Sequence, residues 1–317
     1  MPTPIILDCD PGHDDALAIL LAAANPAIDL LAITTVAGNQ TLARTTLNAR
    51  RVCTVAGITD VPIAAGRSRP LCGDTAPVGA RIGGVEVHGE SGLDGPHFGT
   101  PAVEVSTKDA VALMREILLS HKEPVTLVPT GPLTNVAVLL RDHPEVLPHI
   151  AEVVLMGGGH GIGNVTPVAE FNIYCDPEAA DLVLTSGLPI TLCGLNVTHQ
   201  ALATQEVCDR MARIGTPLAT LCVELLTFFT STYKAIWGFP APPLHDPVAV
   251  ARLIDPATVL TRPAAVAIEL TGEHTRGATV IDFHGVTDRR PNAHVATTLD
   301  TDRFWDLIIS AIASFPH

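Results

Sequence analysis

The chain opens with a short apolar run that leads directly into Asp8-Cys9-Asp10-Pro11-Gly12-His13-Asp14-Asp15. The run, Pro4-Ile5-Ile6-Leu7, predicts a buried strand, and the Pro-Gly pair predicts the turn that ends it. The apolar stretch 16–24 predicts a helix that begins near His13 or Asp14. The carboxylates are therefore expected at the carboxyl end of a strand, where open α/β sheets bind their ligands.

Four carboxylates within this short stretch repel one another strongly unless a cation lies among them. Ligands that are all oxygen atoms favour a hard cation, Ca²⁺ or Mg²⁺, over zinc. Side chains alternate along a strand, so Asp8 and Asp10 share a face, and Asp8 is either a second ligand or a partner that orients one. Cys9 points the other way, into the core. The alternative is a solvated turn with helix-capping aspartates, which suits one or two carboxylates better than four.

Composition narrows the class of protein. The 317 residues are 47% hydrophobic, which excludes a disordered chain. A formal net charge of -14 argues against a nucleic acid polymer as partner and favours a small uncharged substrate. Seven cysteines without Cys-x-x-Cys spacing suit reduced packing residues in a cytoplasmic protein. The first three residues carry no basic segment, and the longest apolar run, 16–24, is too short to cross a membrane.

Strand and helix patterns alternate along most of the chain, as parallel βαβ units require. Further strands are predicted at residues 29–36, 61–65, 125–129, 153–156 and 189–195, and helices at 41–56, 106–121 and 301–315. Ser106 and Asp109 are expected to form a capping box. Residues 266–299 alternate in shorter runs and predict extra strands, some of them antiparallel. The predicted fold is α/β, a single domain over residues 1–317 with an open, mostly parallel (mixed) sheet flanked by helices, and residues 67–100 as a long surface excursion over the crevice.

Polar residues follow several of the predicted strands and should meet at one edge of the sheet. Asn39 follows the second strand, and residues 130–135 follow the strand at 125–129. Gly157-Gly158-Gly159 lacks the spacing of a phosphate-binding loop, so close backbone approach is its simpler role. Residues 164–172 interleave amides and a carboxylate with apolar residues, which suits recognition of hydroxyl groups. The alternative is a polar loop with local hydrogen bonds.

Histidine and aromatic residues later in the chain are candidates for contact with a ring. His245-Asp246 offers a titratable group beside a further hard-metal ligand, although such a pair is more often a helix N-terminus. His88 lies in the glycine-rich excursion and could reach the crevice as part of a lid. Tyr233 and Trp237 are four residues apart on a predicted helix and share one face, where core packing is the default role.

Together these motifs resemble those of the inosine-uridine-preferring nucleoside hydrolase family, over essentially the whole chain. Residues 8–15 match its N-terminal fingerprint, a highly specific signal, and the later blocks 36–39, 87–90, 129–132, 164–172 and 245–246 match in order. The resemblance implies a Rossmann-like core and a Ca²⁺ cofactor bound by Asp10, Asp15, Asp246 and the carbonyl of Thr130, with the ribose hydroxyls completing the shell. Substrate contacts are predicted at Asp14, Asn39, His88, Met156, Asn164, Glu170, Phe171, Asn172, Tyr233 and Trp237.

The implied reaction is hydrolysis of an N-glycosidic bond. Asp10 is expected to act as general base on a water whose acidity the cation raises, and carboxylates around the ribose to stabilise its cationic transition state. His245 is the candidate acid or base-ring contact, with His88 as its nearest partner. Histidines rather than tryptophans at these positions resemble members that take inosine and uridine, and the intact 87–95 segment is most similar to pyrimidine-specific ribonucleoside hydrolases. The family resemblance also implies a homotetramer.

Two functions of other classes stay open from the sequence. Asp8-x-Asp10 after a strand also resembles the nucleophile motif of haloacid-dehalogenase-type phosphohydrolases. The two further carboxylates, Asp14 and Asp15, and the absence of a convincing downstream lysine count against that class. A non-catalytic nucleoside or ribose sensor would keep the same pocket without the reaction. A broad-specificity inosine-uridine hydrolase is the alternative within the family.

Overall fold

Nine strands form one sheet in the part of the chain that the computed structural model describes, residues 1–72 and 84–316. The strands are β1 (Thr3–Cys9), β2 (Ile28–Thr35), β3 (Ile63–Ala65), β4 (Val125–Pro129), β5 (Ile150–Met156), β6 (Ile190–Cys193), β7 (Val259–Ile268), β8 (Thr279–Asp282) and β9 (Ala293–Leu299). Their order is β3-β2-β1-β4-β5-β6-β9-β7-β8. The pairs from β3 to β9 are parallel, and β7 pairs antiparallel with both β8 and β9. The mixed, mostly parallel sheet is therefore confirmed.

Helices cover both faces of this sheet. They are α1 (His13–Ala24), α2 (Leu42–Ala56), α3 (Gly84–His88), α4 (Ala110–Ser120), α5 (Thr134–Asp142), α6 (Phe171–Cys175), α7 (Pro177–Leu184), α8 (Leu195–Thr198), α9 (Gln205–Ala212), α10 (Pro217–Trp237), α11 (Pro247–Ile254) and α12 (Thr301–Ser314), with a 3₁₀ helix at Pro144–His149. Within the described ranges, none of them is both long enough and apolar enough to cross a bilayer.

The central strand β1 is buried on both sides, as its unbroken apolar run predicted. Ile5, Leu7 and Cys9 pack in the core shared with α1, α2 and α9 to α12, whereas Ile6 packs in the opposite core with α4, α5 and α7. This alternation fixes which face each side chain of β1 joins. Cys9 lies in the core, as predicted.

The strands that follow β1 in the chain lie first on one side of it and then on the other, so that β1 pairs with β2 on one side and with β4 on the other. Residues 5–8 pair with both neighbours, and Ile5, for example, lies opposite Leu30 of β2 and Thr126 of β4. At such a switch point the turns after the two neighbouring strands diverge and leave a crevice at their carboxyl ends. The acidic turn after β1 lies in this crevice.

Differences from the sequence-based expectations concern element ends. The helix predicted at 106–121 begins at Ala110, and the capping box was wrong: the Asp109 carboxylate alone caps it, accepting the Ala112 N–H at 2.8 Å, while the Ser106 hydroxyl accepts the N–H of Lys108. A carboxylate at the N-cap satisfies an orphan amide by itself. Strand β7 begins at Val259, ahead of the predicted region, because it pairs along the full length of β9.

Part of the predicted 67–100 excursion, residues 73–83, lies outside the described residues. The remainder contains α3, which docks on α10 through a hydrogen bond from the Thr232 hydroxyl to the Val87 carbonyl at 2.9 Å. The next residue, His88, is buried. This part of the excursion therefore lies against the crevice, as predicted.

Candidate active site

A cavity opens at the carboxyl ends of the central strands. Its lining comprises Asp14, Asn39, Val87, His88, Thr130, Met156, Asn164, Val165, Glu170, Phe171, Asn172, Phe229, Tyr233, Trp237, His245 and Asp246. Every residue predicted to contact substrate is present, together with Thr130, His245 and Asp246. Asp10 and Asp15 are fully buried behind this lining. The structure thus brings the predicted residues together, while the role of each stays a prediction.

Some lining residues had escaped prediction: Val87, Val165 and Phe229. Phe229 lies one helical turn before Tyr233 on α10, so the four-residue spacing that paired Tyr233 with Trp237 could have indicated it. Val87 and Val165 adjoin the predicted site residues His88 and Asn164, but an apolar residue type by itself does not indicate a role in a site.

The Asp10 carboxylate is buried where β1 ends. Its Oδ2 accepts the backbone N–H of Asn39 at 2.6 Å, whereas its Oδ1 has no hydrogen-bond partner among the described residues. A Cβ on Gly38 would lie 2.0 Å from Oδ2, so only glycine lets the backbone approach this closely. Burial and the nearby charge of Asp15 raise the pKa of Asp10 well above its usual value. A buried oxygen without a partner is costly, and it suits a carboxylate that takes up a cation or a proton.

Three further carboxylates lie close enough to share one ion. Asp14, Asp15 and Asp246 each offer an oxygen, and these oxygens lie within 4.8 Å of one another. Asp246 is the N-cap of α11 but makes no side-chain capping bond, so its carboxylate is available to the cluster. This donor set of oxygens fits a hard divalent cation. Asp10, a predicted ligand, is not part of this group of three, and Asp14, a predicted ribose contact, is.

Hydrogen bonds around this cluster leave the Thr130 carbonyl, a predicted ligand, able to bind a cation. Asp15 accepts the Gly12 N–H at 3.0 Å and the Thr130 hydroxyl at 2.9 Å. The Thr130 carbonyl accepts the amide of Asn172 at 2.7 Å, and a carbonyl oxygen has a second lone pair for a cation.

The electrostatics of the cluster follow from burial and crowding. Burial first, and the charge of Asp15 second, raise the pKa of Asp14 to about 7. Burial also raises the pKa of Asp15 to about 6, against hydrogen bonds that lower it, and raises that of Asp246 well above its usual value. Without a cation, some of these carboxyl groups hold protons near neutral pH.

Asp8 lies outside the cavity lining and orients its surroundings. Its Oδ1 accepts the Thr34 hydroxyl at 2.7 Å and the Asn135 amide at 2.8 Å. The same amide also donates to the Thr35 carbonyl at 3.0 Å. Asp8 therefore ties β1 to β2 and α5, as an orienting partner would, while its buried Oδ2, like Oδ1 of Asp10, has no hydrogen-bond partner among the described residues.

Polar groups from the 164–172 segment form one wall. Glu170 caps α6, and its carboxylate accepts the N–H groups of Gly158, Asn172 and Ile173 at 2.9, 3.0 and 3.2 Å. Burial raises the pKa of Glu170 to about 7. The Asn164 side-chain oxygen accepts the Phe171 N–H at 2.9 Å. Local hydrogen bonds thus hold this segment while Asn164, Glu170 and Asn172 still face the cavity.

His245 lies between two hydroxyl groups. Its Nδ1 is 2.7 Å from the Thr198 hydroxyl, and its Nε2 is 2.7 Å from the Tyr233 hydroxyl. Burial lowers the pKa of His245 to about 3, so the ring is neutral and carries a single N–H. Thr198 had not been predicted, because nothing in the sequence marks a buried threonine that contacts a residue 47 positions away.

Aromatic rings form the opposite wall. The Tyr233 and Trp237 rings are 4.6 Å apart between centroids, and the His88 ring stacks on Phe229 at 5.2 Å. Tyr233 is buried, whereas Trp237 is 37% exposed at the edge of the cavity. Tyr233 packs in a small core cluster with Val87 and Phe229, as the default role predicted, and it also lines the cavity together with Trp237.

Comparison with known proteins agrees with this geometry. The family model for inosine-uridine preferring nucleoside hydrolases matches residues 5–306. The pyrimidine-specific ribonucleoside hydrolase RihA of Photobacterium profundum is 48% identical over 99% of this chain and 100% of its own length, and that of Shewanella woodyi is 47% identical over 99% of each chain. The solved structure of a purine-preferring ribonucleoside hydrolase from Gardnerella vaginalis aligns with a TM-score of 0.91 and 31% identity over 99% of each chain. The chain belongs to the inosine-uridine preferring nucleoside hydrolase family.

Proposed function

We propose that this nucleoside hydrolase acts on pyrimidine ribonucleosides such as uridine and cytidine, and cleaves the N-glycosidic bond to release base and ribose. One observation carries the proposal: the carboxylates and the histidine-aromatic wall line the same cavity. Ribose hydroxyls suit the first group and a nucleobase suits the second. Relatives that are 47–48% identical are named as pyrimidine-specific, which supports this base preference. The fold alone does not indicate which base is preferred, because the structurally similar Gardnerella enzyme is named as purine-preferring.

Ca²⁺ is the proposed cation, bound by Asp10, Asp15, Asp246 and the Thr130 carbonyl. The unpartnered Oδ1 of Asp10 and the cluster of three carboxylates fit a hard ion with oxygen ligands. When bound, such an ion lowers the pKa of a coordinated water and holds ribose hydroxyls. Asp14 is then a carboxylate that serves either the ion or the ribose.

The chain's own residues perform the remaining steps. The Asp10 carboxylate accepts a proton from the attacking water as the C1′–N bond breaks. Glu170 and Asp14 place negative charge beside a ribose that becomes cationic in the transition state. Asn164 and Asn172 supply amide groups for its hydroxyls.

The hydrogen bonds of His245 support Tyr233 as the proposed contact with the base. The Thr198 hydroxyl is fully buried and pairs with His245, and the proposal takes it as the donor to Nδ1 of the neutral ring. Nε2–H then donates to the Tyr233 oxygen, and the phenol O–H is free to donate into the cavity. Tyr233, supported by His245, is therefore the proposed donor to the departing base.

Replacing Tyr233 with Phe should lower kcat/KM for uridine by about 10-fold, the contribution of one hydrogen bond in the transition state. The ring contacts with Phe229 and Trp237 stay in place. Steady-state kinetics on p-nitrophenyl riboside provide the control, because p-nitrophenolate leaves without a donor and its hydrolysis should be unchanged. An equal loss on both substrates would rule out the assigned contact.

The experiment that tests the proposed function is ribose release from uridine, cytidine, inosine, adenosine and 2′-deoxyuridine, with and without a chelator. Release from uridine and cytidine that stops on metal removal supports the proposal. Comparable release from inosine would instead identify a broad-specificity inosine-uridine hydrolase. Tight nucleoside binding by metal-loaded protein, without release from any of the five, would identify a sensor.

Two further proposals are a homotetramer, which the family resemblance supports, and a cytoplasmic location, which the cysteines support. The seven cysteines are all free thiols, as a reducing compartment favours. Light scattering coupled to size-exclusion chromatography measures the assembly directly, and a mass of one or two chains would contradict the tetramer.

A further inference from the structure

Three side chains at the start of α2 donate hydrogen bonds to consecutive backbone carbonyls beside the cavity. Gln40 lies just before the helix, and Arg44 and Asn48 follow at intervals of four residues, so all three share one face. The bonds run from Gln40 Nε2 to the Gly89 carbonyl at 3.0 Å, from the Arg44 guanidinium to the Glu90 carbonyl, and from Asn48 Nδ2 to the Ser91 carbonyl at 2.9 Å.

The segment that receives these bonds, residues 88–95, is called here the His88 turn. Its N–H groups are satisfied from within, because the Asp94 carboxylate accepts those of Glu90 and Ser91 at 2.9 and 3.1 Å. Three consecutive carbonyls, those of Gly89, Glu90 and Ser91, receive donors from α2 and the residue just before it, although Gly89 also accepts the Gly92 N–H. These bonds attach the turn to the helix.

The contact between helix and turn leaves no spare room. Gly92 has a φ of 83°, and a Cβ there would lie 2.8 Å from Nδ2 of Asn48 and 2.9 Å from Cγ of Gln40. Both amide side chains therefore lie directly against the backbone of the turn. Gln40 is 4% exposed and Asn48 is fully buried, so neither bond competes with bulk water.

Asn48 also connects the His88 turn to the acidic turn. The same Nδ2 donates to the Pro11 carbonyl at 3.1 Å, between Asp10 and the start of α1. One amide thus spans the two turns that supply the ring wall and the carboxylates. A second link runs from His13, whose Nε2 is 2.8 Å from the Asp94 carbonyl and whose Nδ1 is 3.0 Å from His88 Nδ1.

We propose that Gln40 and Asn48 are positioning residues that act on substrate through His88. Neither residue lines the cavity, whereas His88 does. Their bonds to the turn act together with the direct contacts of the His88 ring with His13. In the proposal they fix the distance between that ring and the carboxylates, and hence the fit of a nucleobase whose ribose is held by those carboxylates. The inference rests on the proposed function, because it concerns how the same site recognises the base.

A double-mutant cycle of Asn48→Ala and His88→Ala tests this inference, with kcat and KM measured on uridine. Asn48→Ala alone should lower kcat/KM by about 10-fold, the value of one or two misplaced contacts, mainly through a higher KM. In the His88→Ala background the same change should have almost no further effect, because the ring that it positions is gone. Additive losses, or wild-type kinetics for Asn48→Ala, would overturn the proposal.

Asn292→Ala is the matched control, because this side chain also hydrogen-bonds backbone groups of two separate elements, at Val266 and Leu184, and lies outside the cavity lining. It should lower the melting temperature without changing KM. Should Asn48→Ala not fold, Gln40→Ala enters the same cycle, since it removes one bond of the three. Wild-type protein that releases no ribose would refute the proposed function; active wild-type protein with additive losses refutes only the positioning role.

Discussion

Asp10→Asn is expected to lower kcat on uridine by at least about 10³-fold, the combined loss of a general base and of a charge beside the cation. The asparagine keeps the shape of the side chain and can still accept the Asn39 N–H bond. What it lacks is the carboxylate charge that, in the proposed mechanism, binds the cation and accepts the proton of the attacking water. Ribose release under saturating uridine and Ca²⁺ measures the effect.

The same substitution should have opposite effects on stability with and without Ca²⁺. In the ion-free protein a buried carboxylate with a raised pKa opposes folding at neutral pH, so its removal should be neutral or stabilising, by up to about 3 kcal/mol. In the Ca²⁺-loaded protein the variant should be less stable than the wild type, because a ligand is missing. Thermal melts with Ca²⁺ or a chelator separate the two states.

Asp29→Asn provides the control for this experiment, since Asp29 is exposed on β2 and lies outside the cavity lining. It should leave kcat and both melting temperatures unchanged. Near-normal turnover in Asp10→Asn would remove Asp10 from the mechanism. A large drop in melting temperature without Ca²⁺ would mean that the carboxylate supports the fold, and that lost activity reflects unfolding.

Much of the fold could be predicted from the sequence because apolar residues recur at different spacings in strands and in helices. The run 4–7 and the acidic turn after it placed β1 and the start of α1 correctly. The first and last residues of helices and strands were harder to predict from the sequence, since they depend on tertiary contacts. Strand β7 extends to Val259 only because β9 pairs with it there, and this pairing joins residues far apart in sequence.

Site residues could be predicted from the sequence where the residue type itself indicates a chemical role. Carboxylates, amides and histidines near strand ends were placed in one cavity, as expected from a shared sheet edge. Thr198 was not predictable, because its role depends on a contact with His245 that only the folded chain creates. The grouping of Asp14 with Asp15 and Asp246 is likewise a product of how α11 approaches α1.

Ca²⁺ is expected to stabilise the protein weakly near pH 5 and strongly near pH 8. The folded-state pKa of Asp14 is raised to about 7 and that of Asp15 to about 6, from the ordinary aspartate value of 3.8. For a raised pKa, the contribution to stability is full below the unfolded value and is lost as the pH rises through the folded value. The ion-free protein therefore loses this contribution between about pH 4 and pH 7, the range in which a cation can replace the departing protons.

The quantity to measure is the difference in unfolding free energy between Ca²⁺-loaded and chelator-treated protein at a fixed free Ca²⁺ concentration. Each proton displaced on binding adds about 1.4 kcal/mol per pH unit, so the difference should grow by at least that amount per unit between pH 5 and pH 7. The buried His13 and His245, whose pKa values are lowered to about 4 and about 3, destabilise both forms below pH 6.5 and largely cancel in the difference. Asp246→Asn should reduce the stabilisation by Ca²⁺ at pH 8. A difference that does not vary with pH would mean that the ion binds elsewhere, because these carboxyl groups must lose protons before they can bind it.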